Sequence, residues 1–320
     1  MKRNLLSNVK NQLKSFMKEL FPCEGSKPSA ASLRREHLWS IGIYVGNSPL
    51  EFASPDNIIN PVLSCNDVSD VPALFVADPF MIEVDHTWYM FFEVMNQQNR
   101  KGEIGLAISN NGFEWTYQEI VLTEPFHLSY PYIVKCIDEY YIIPESFQAG
   151  AIRLYKATNF PTQWAFIGNL LTGDYYADSS IFYHDNKWWL FTETNPQLKH
   201  DTLRLYYAEN LMGPWFEHAG SPIIAGNAHI ARPAGRVLTF NGKITRYAQD
   251  CEPIYGTQVR AFEIAVLTTT GYQERALGEG PVLMGSGTGW NESGMHHIDP
   301  HPMEDGRWIA CVDGFLWQEY

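Results

Sequence analysis

Five times between residue 76 and the C-terminus the chain repeats one order of events. A short apolar strand opens on a polar residue, a turn rich in Asp and Asn follows, and a second apolar strand closes on an acid or an amide. The openings are Ala77-Asp78-Pro79, Ser129-Tyr130-Pro131, Ala177-Asp178-Ser179, Ala231-Arg232-Pro233 and Ile298-Asp299-Pro300. The turns are Asp85-His86, Asp138-Glu139, Asp185-Asn186, Asn241-Gly242 and Asp305-Gly306, each a hairpin signal between apolar runs. The second strands close on Glu93, Glu145, Glu193, Gln249 with Asp250, and Asp313. A period of roughly 50 residues points to a propeller or a solenoid.

Third strands follow in four units, at Ile104 to Ala107, Ile152 to Tyr155, Leu203 to Tyr206 and Val259 to Phe262. Fourth strands are entered through Trp115, Trp164, Trp215 and Tyr272. Four antiparallel strands per unit make a propeller blade. The fifth unit runs out after two strands, and the missing pair has a source at the other end. Trp39 to Tyr44 reads as a third strand and Ile58 to Leu63 as a fourth. N-terminal strands completing the last blade would close the ring and leave no open edge. The reading is an all-β, five-bladed β-propeller over residues 37–320; a β-sandwich would not produce this complementary truncation.

Residues 1–36 stand apart. Leu5, Leu6, Val9, Leu13, Phe16, Met17, Leu20 and Phe21 recur at helical spacing, with Lys10, Lys14 and Lys18 on another face. Such a basic amphipathic helix can lie on a membrane surface, although packing on its own domain or a partner subunit is the favoured reading. Pro22, Gly25, Pro28 and several Ser make the rest of this stretch a linker. A net charge of −13 argues against a nucleic-acid partner. Cys23, Cys65, Cys136, Cys251 and Cys311 are scattered, without a Cys-x-x-Cys pair, and read as reduced thiols of a cytoplasmic protein, membrane-peripheral only if the basic helix lies on a bilayer.

In a propeller blade the first strand lies next to the axis and the second runs back beside it. The start of the first and the end of the second therefore meet at one face. This places Asp78, Tyr130, Asp178, Arg232 and Asp299 in an inner ring, with Glu93, Glu145, Glu193, Gln249 or Asp250, and Asp313 just outside it. An Asp before Pro is often a plain turn residue bonding local backbone. Recurrence of acids at one structural point favours function, with Arg232 keeping a neighbouring carboxylate ionised. Paired carboxylates suit glycoside hydrolysis, one protonating the leaving oxygen and the other activating water or attacking. His296 and His297 precede Asp299; a structural role is favoured for them, and a divalent cation near the axis is left open. Phosphate loops, nucleophile elbows and zinc-protease motifs are absent from the sequence.

The five-unit pattern, with Ala77-Asp78-Pro79-Phe80 in the first unit and Met295-His296-His297-Ile298-Asp299-Pro300 in the last, resembles the five-bladed propellers of glycoside hydrolase family 43 and relatives. Trp39-Ser40-Ile41-Gly42-Ile43-Tyr44, Asp78-Pro79-Phe80, Pro144-Glu145 and Ala231-Arg232-Pro233 look more closely like the N-terminal domain of plant glucosamine inositolphosphorylceramide transferases, over residues 37 to 318. The hydrolase resemblance implies an Asp base at Asp78, a tuning Asp in the second blade and a Glu acid opening the third. This chain has Tyr130 and Asp178 at the last two positions, with Glu145 and Glu193 as nearby substitutes. The plant resemblance implies glycan or glycolipid metabolism more firmly than it implies a reaction.

Three expectations follow. The first is a glycosidase-like enzyme with Asp78 as base or nucleophile and Glu145, Asp178 or Glu193 as acid. There Glu93, Tyr130, Arg232, His296, His297 and Asp299 would contact the substrate, and no cofactor is required. The second is a non-catalytic sugar- or headgroup-binding module brought to the membrane by residues 1–21. The third is a cyclisation or group transfer on the same fold.

Overall fold

The computed structural model describes residues 35–319. The amphipathic stretch 4–21 lies outside them, and the strand structure opens at Arg35, inside the stretch read as a linker. The chain begins with β1 (Arg35–Ser48) and β2 (Glu51–Ala53), which belong to the last blade. Blade one is β3 (Ala73–Val84), β4 (Thr87–Asn96), β5 (Lys101–Ser109) and β6 (Thr116–Leu122). Blade two is β7 (Ser129–Cys136), β8 (Glu139–Glu145), β9 (Ala151–Asn159) and β10 (Gln163–Thr172). Blade three is β11 (Ala177–His184), β12 (Lys187–Glu193), β13 (Leu203–Ala208) and β14 (Phe216–Glu217). Blade four has a split inner strand, β15 (Arg232–Pro233) and β16 (Leu238–Phe240), then β17 (Lys243–Asp250), β18 (Gln258–Leu267), β19 (Tyr272–Ala276) and β20 (Leu283–Met284). Blade five joins β21 (Ile298–Pro302) and β22 (Trp308–Glu319) to β1 and β2, in the order β2-β1-β22-β21.

The ring closes as the truncated ends require: β1 pairs with β22 from Arg35–Glu319 to Gly46–Trp308. The expected fourth strand at Ile58 to Leu63 is displaced, because Glu51–Ala53 turns back on β1 first. Leu63 adds only an isolated bridge to Ile41. The hairpins carry the left-handed residues that a two-residue turn demands, at Asp85 and His86, Asp185 and Asn186, and Asn241 and Gly242. In blade two the turn falls one residue early, on Ile137 and Asp138, with Ile137 at φ 58°. Tyr132 pairs with Ile143 and Ile133 with Ile142, one pair on each face of the blade and all four buried, and a one-residue slip would exchange the faces of the second strand. Register wins over turn chemistry there.

The core lies between blades. Phe80, Phe91 and Leu106 of blade one pack with Tyr132, Ile142 and Leu154 of blade two, each such burial stabilising by about 1.5–3 kcal/mol. Trp189 and Phe191 join blade three to Ile244 and Ile264 of blade four, and half-buried Trp308 meets Phe240 edge-on across blades four and five. The four described cysteines are free thiols.

Candidate active site

Three inner strands begin with the same irregularity. Between Ala77 and Phe80, between Ser129 and Tyr132, and between Ala177 and Ser180 the pairing shifts by one residue. Asp78, Tyr130 and Asp178 sit inside these bulges at φ 53°, 46° and 47°. A left-handed L-residue costs on the order of 1 kcal/mol, and bulges of this kind re-aim side chains. Blades four and five lack the bulge: Arg232 lies opposite Gln249 and Asp299 opposite Cys311 in regular pairing.

Of the expected ring, the structure brings Asp78, Glu93, Glu145, Arg232 and His296 to one narrow pocket, together with Trp39, Phe75, His127 and Tyr255. His296 is held between two carboxylates, its Nδ1 2.7 Å from Asp313 Oδ1 and its Nε2 3.5 Å from Asp78 Oδ1. Trp39 stacks on its ring at 4.1 Å. Asp313 also accepts the Asp78 backbone N–H at 2.9 Å. Asp78 Oδ1 and Glu93 Oε1 are buried and accept no hydrogen bond. Burial pushes the Asp78 carboxyl up to about 7, against the pull of His296. Burial opposes charge on His296 as well, but Asp313 prevails and raises it above the usual imidazole range.

His127 reaches Glu93 because Gly102 N–H donates to its Nδ1 at 2.8 Å, which leaves Nε2 to carry the proton, 3.4 Å from Glu93 Oε1. A side chain at Gly102 would strike Leu128 O at 2.2 Å and Glu93 Oε1 at 2.7 Å. Glu145 accepts the Asp178 N–H at 3.1 Å and lies 3.5 Å from Arg232 Nη2. Burial, reinforced by the neighbouring carboxylates, holds the Glu93 and Glu145 carboxyls well above the usual range.

The remaining candidates stand behind the pocket wall. Asp178 accepts from Arg232 Nε and Gln249 Nε2, each at 2.6 Å. Burial opposes its charge, yet Arg232 holds it below the ordinary carboxylate range. An ion-paired carboxylate of that kind anchors Arg232 and is not a proton donor. Glu193 accepts Asn195 N–H at 2.7 Å at the foot of a loop; burial lifts it to about 8, but it does not line the pocket.

Tyr130, expected to touch substrate, plugs the axis instead. Its hydroxyl meets Ser180 Oγ at 2.8 Å and accepts from Gly235 N–H at 2.6 Å. The close approach needs Gly235, where a Cβ would stand 1.8 Å from Ile298 O. His297 is buried edge-on between Phe80 and Tyr130, and burial lowers it to about 4. Asp299 lies deeper still, bonded to Arg236 Nε at 2.6 Å, Met81 N–H at 2.7 Å and His301 Nε2 at 3.0 Å. Without a bulge its side chain follows the strand face that packs on blade one. Tyr130, His297 and Asp299 thus stand outside the residues that line the pocket.

Asp78, His296 and Asp313 each offer a ligand atom within 4.8 Å of the others. A divalent cation would use Asp78 Oδ1 and His296 Nε2, with Asp313 behind orienting the imidazole.

The pocket's cavity volume is about 30 Å³, the share of one water. It admits a water or a hydroxyl. A cleft of about 780 Å³ opens beside it, and Tyr255 borders both. Sequence reasoning missed His127, Phe75 and Tyr255, and it took Trp39 only as a strand residue.

Residues 32–315 match the family model described as glucosamine inositolphosphorylceramide transferase 1, N-terminal. The chain is 35% identical over 299 residues to the glucosamine inositolphosphorylceramide transferase 1 of Oryza sativa subsp. japonica, covering 87% of this chain and 40% of that protein. It is 32% identical to that of Arabidopsis thaliana, covering 87% of this chain and 39% of that protein. The chain thus spans about two fifths of the length of these relatives. Among solved structures, Cellvibrio cellulosa α-L-arabinanase superposes with a TM-score of 0.55 at 14% identity, covering 78% of this chain and 93% of that one. An exo-1,5-α-L-arabinanase from a bovine ruminal metagenomic library gives 0.55 at 10% identity, covering 78% and 94%. At these identities the likeness shows the five-bladed fold alone.

Proposed function

The chain belongs to the family of the glucosamine inositolphosphorylceramide transferase 1 N-terminal domain, and from that premise we propose that it acts on a sugar or glycolipid headgroup by carboxylate acid–base chemistry. One observation carries the reading: in one pocket an Asp78 oxygen that accepts no hydrogen bond, on a carboxyl raised to about 7, faces Glu93 and Glu145, which burial raises well above the usual range. Environments that push neighbouring carboxyls to different tasks mark acid–base sites.

Asp78 takes the proton of a water or hydroxyl held in the small pocket. His296, fixed by Asp313, steadies the resulting charge. Glu145, beside Arg232, gives its proton to the departing oxygen. Asp178 keeps Arg232 in place. The scheme needs no cation, so turnover is expected to survive a chelator.

Arg35 opens β1 at the end of the strand where Trp39 lines the pocket. Peripheral membrane contact through residues 1–21 would therefore present the pocket to a glycolipid of the bilayer. Co-sedimentation with anionic liposomes, stronger for the full chain than for a chain lacking residues 1–21, supports this arm; equal binding removes it.

The main test is turnover of a panel of aryl glycosides and glucosamine-bearing inositolphosphorylceramide. Asp78→Asn is expected to lower the rate about 10²–10⁴-fold. If no member of the panel is turned over while sugars still bind, the chain is a binding module. The displacement of the family acid by ion-paired Asp178 favours that second reading.

A further inference from the structure

The water-sized pocket cannot take a sugar ring, so the ring of any substrate must lie elsewhere. Ligand pockets span about 300–1,000 Å³, and the adjoining cleft of about 780 Å³ falls in that range. We propose that this cleft, walled by the loops at residues 198–201, 226–229 and 251–255, is a carbohydrate subsite that takes an uncharged polyhydroxylated ring, with one oxygen of the ligand reaching past Tyr255 to Arg232 and Glu145. This deepens the functional reading and rests on it.

The cleft is a built feature. Asn227 N–H donates to Asp201 O at 3.2 Å, and Cys251 N–H to Ala228 O at 3.0 Å, so each loop is tied to the next. Asn195 Nδ2 donates to Asp201 Oδ1 at 2.6 Å, and His229 Nδ1 lies 2.7 Å from Asp250 Oδ1.

Strain sits in the first loop, where Leu198 and His200 are left-handed at φ 57° and 52°. Such a pair persists only where its surroundings over-determine it, and it clusters at functional sites. Here the strained backbone buries His200 while leaving Lys199 exposed. Arg232 Nη1 donates to His200 Nδ1 at 2.7 Å, and the His200 ring stands 5.4 Å from Tyr255. Tyr255 in turn lies under the Arg232 guanidinium at 4.9 Å. His200, Arg232 and Tyr255 together form the border between cleft and pocket.

Charge selects the ligand class. Lys199 shares the cleft with Asp201 and Glu252, and His229 is paired with Asp250. The lining offers donors and acceptors with no excess of positive charge, which suits hydroxyl groups and gives a phosphate no net attraction.

The test is calorimetry on the full chain with glucosamine, methyl glucoside, myo-inositol and myo-inositol phosphate. At least one neutral ring is expected to bind, about as well to Asp78→Asn as to the native protein. Ala228→Phe, which fills the cleft, should weaken that ring tenfold or more. Exposed Lys199→Ala, a variant with little reason to unfold, should weaken it several-fold. Affinity unmoved by both cleft variants, with turnover intact, overturns the subsite and leaves the functional reading standing. Tenfold tighter binding of the phosphate than of myo-inositol overturns the neutral class. If no ring binds at all, both the subsite and the functional reading fall.

Discussion

Asp78-Pro79 and Asp299-Pro300 are the same dipeptide at the start of an inner strand, yet they end in opposite roles. Asp299 is saturated: Arg236, His301 and the Met81 N–H cover its oxygens. Burial opposes its charge, but Arg236 and His301 hold it well below the usual carboxylate range. Asp78 keeps one oxygen without a hydrogen bond, and burial pushes it up to about 7. The bulge makes the difference. It turns Asp78 into the pocket, whereas regular pairing opposite Cys311 keeps Asp299 on the packed face of β21. An unsatisfied buried carboxylate costs stability, whereas a satisfied one joins two blades.

This contrast breaks first at Arg236. Arg236→Met leaves Asp299 buried without its cation, and the loss expected is about 3–5 kcal/mol of unfolding free energy, read by denaturant titration. A loss under 1 kcal/mol would mean that the axial pair is not the blade-joining element.

Next in size is Tyr130→Phe. It strands Gly235 N–H on the axis, while Ser180 Oγ keeps its bond to Gly235 O, and should cost about 1–3 kcal/mol, with ligand affinity unchanged. A fall in affinity at unchanged stability would return Tyr130 to the substrate.

The remaining effect has the opposite sign and vanishes at low pH. The Asp78 carboxyl is raised from 3.8 to about 7 on folding. Its protonated form is favoured in the native state, so its contribution is fully present below about pH 4 and is lost as pH rises through about 7. Asp299 runs the other way: its folded value is depressed, so its contribution is present above about pH 4 and lost as pH falls further. Asp78→Asn should therefore be more stable than the native chain at pH 8, by up to about 4 kcal/mol, and match it near pH 4. Thermal unfolding at both values checks this, and a destabilised variant at pH 8 would show that the ionised carboxylate is well solvated.

Much of this was legible in the sequence. The hairpin turns, the blade order and the closure by Trp39 to Tyr44 follow from alternating apolar runs and turn residues, which repeat. Asp78, Glu93, Glu145 and Arg232 were found because strand starts and ends repeat too. The repeat could not show which inner strands bulge, since Asp78, Tyr130 and Asp178 take left-handed backbone without glycine. That is why Asp299 was grouped with the pocket, whereas Tyr130 shares the bulge and its long ring runs on to the axis. His127 and Tyr255 come from loops outside the repeat, placed by contacts distant in sequence. A Gly102 that tolerates no side chain was the available hint for His127.

The central claim is that the pocket holds an aspartate poised near neutrality while its axial counterpart stays ionised. Isotope-edited infrared spectroscopy of a chain labelled at aspartate carboxyls tests it most directly. The account predicts a carboxyl band that disappears as pH rises through about 7, absent from Asp78→Asn and retained in Asp299→Asn. A native protein with no aspartate titrating in that range, or a band that survives in Asp78→Asn, would contradict it.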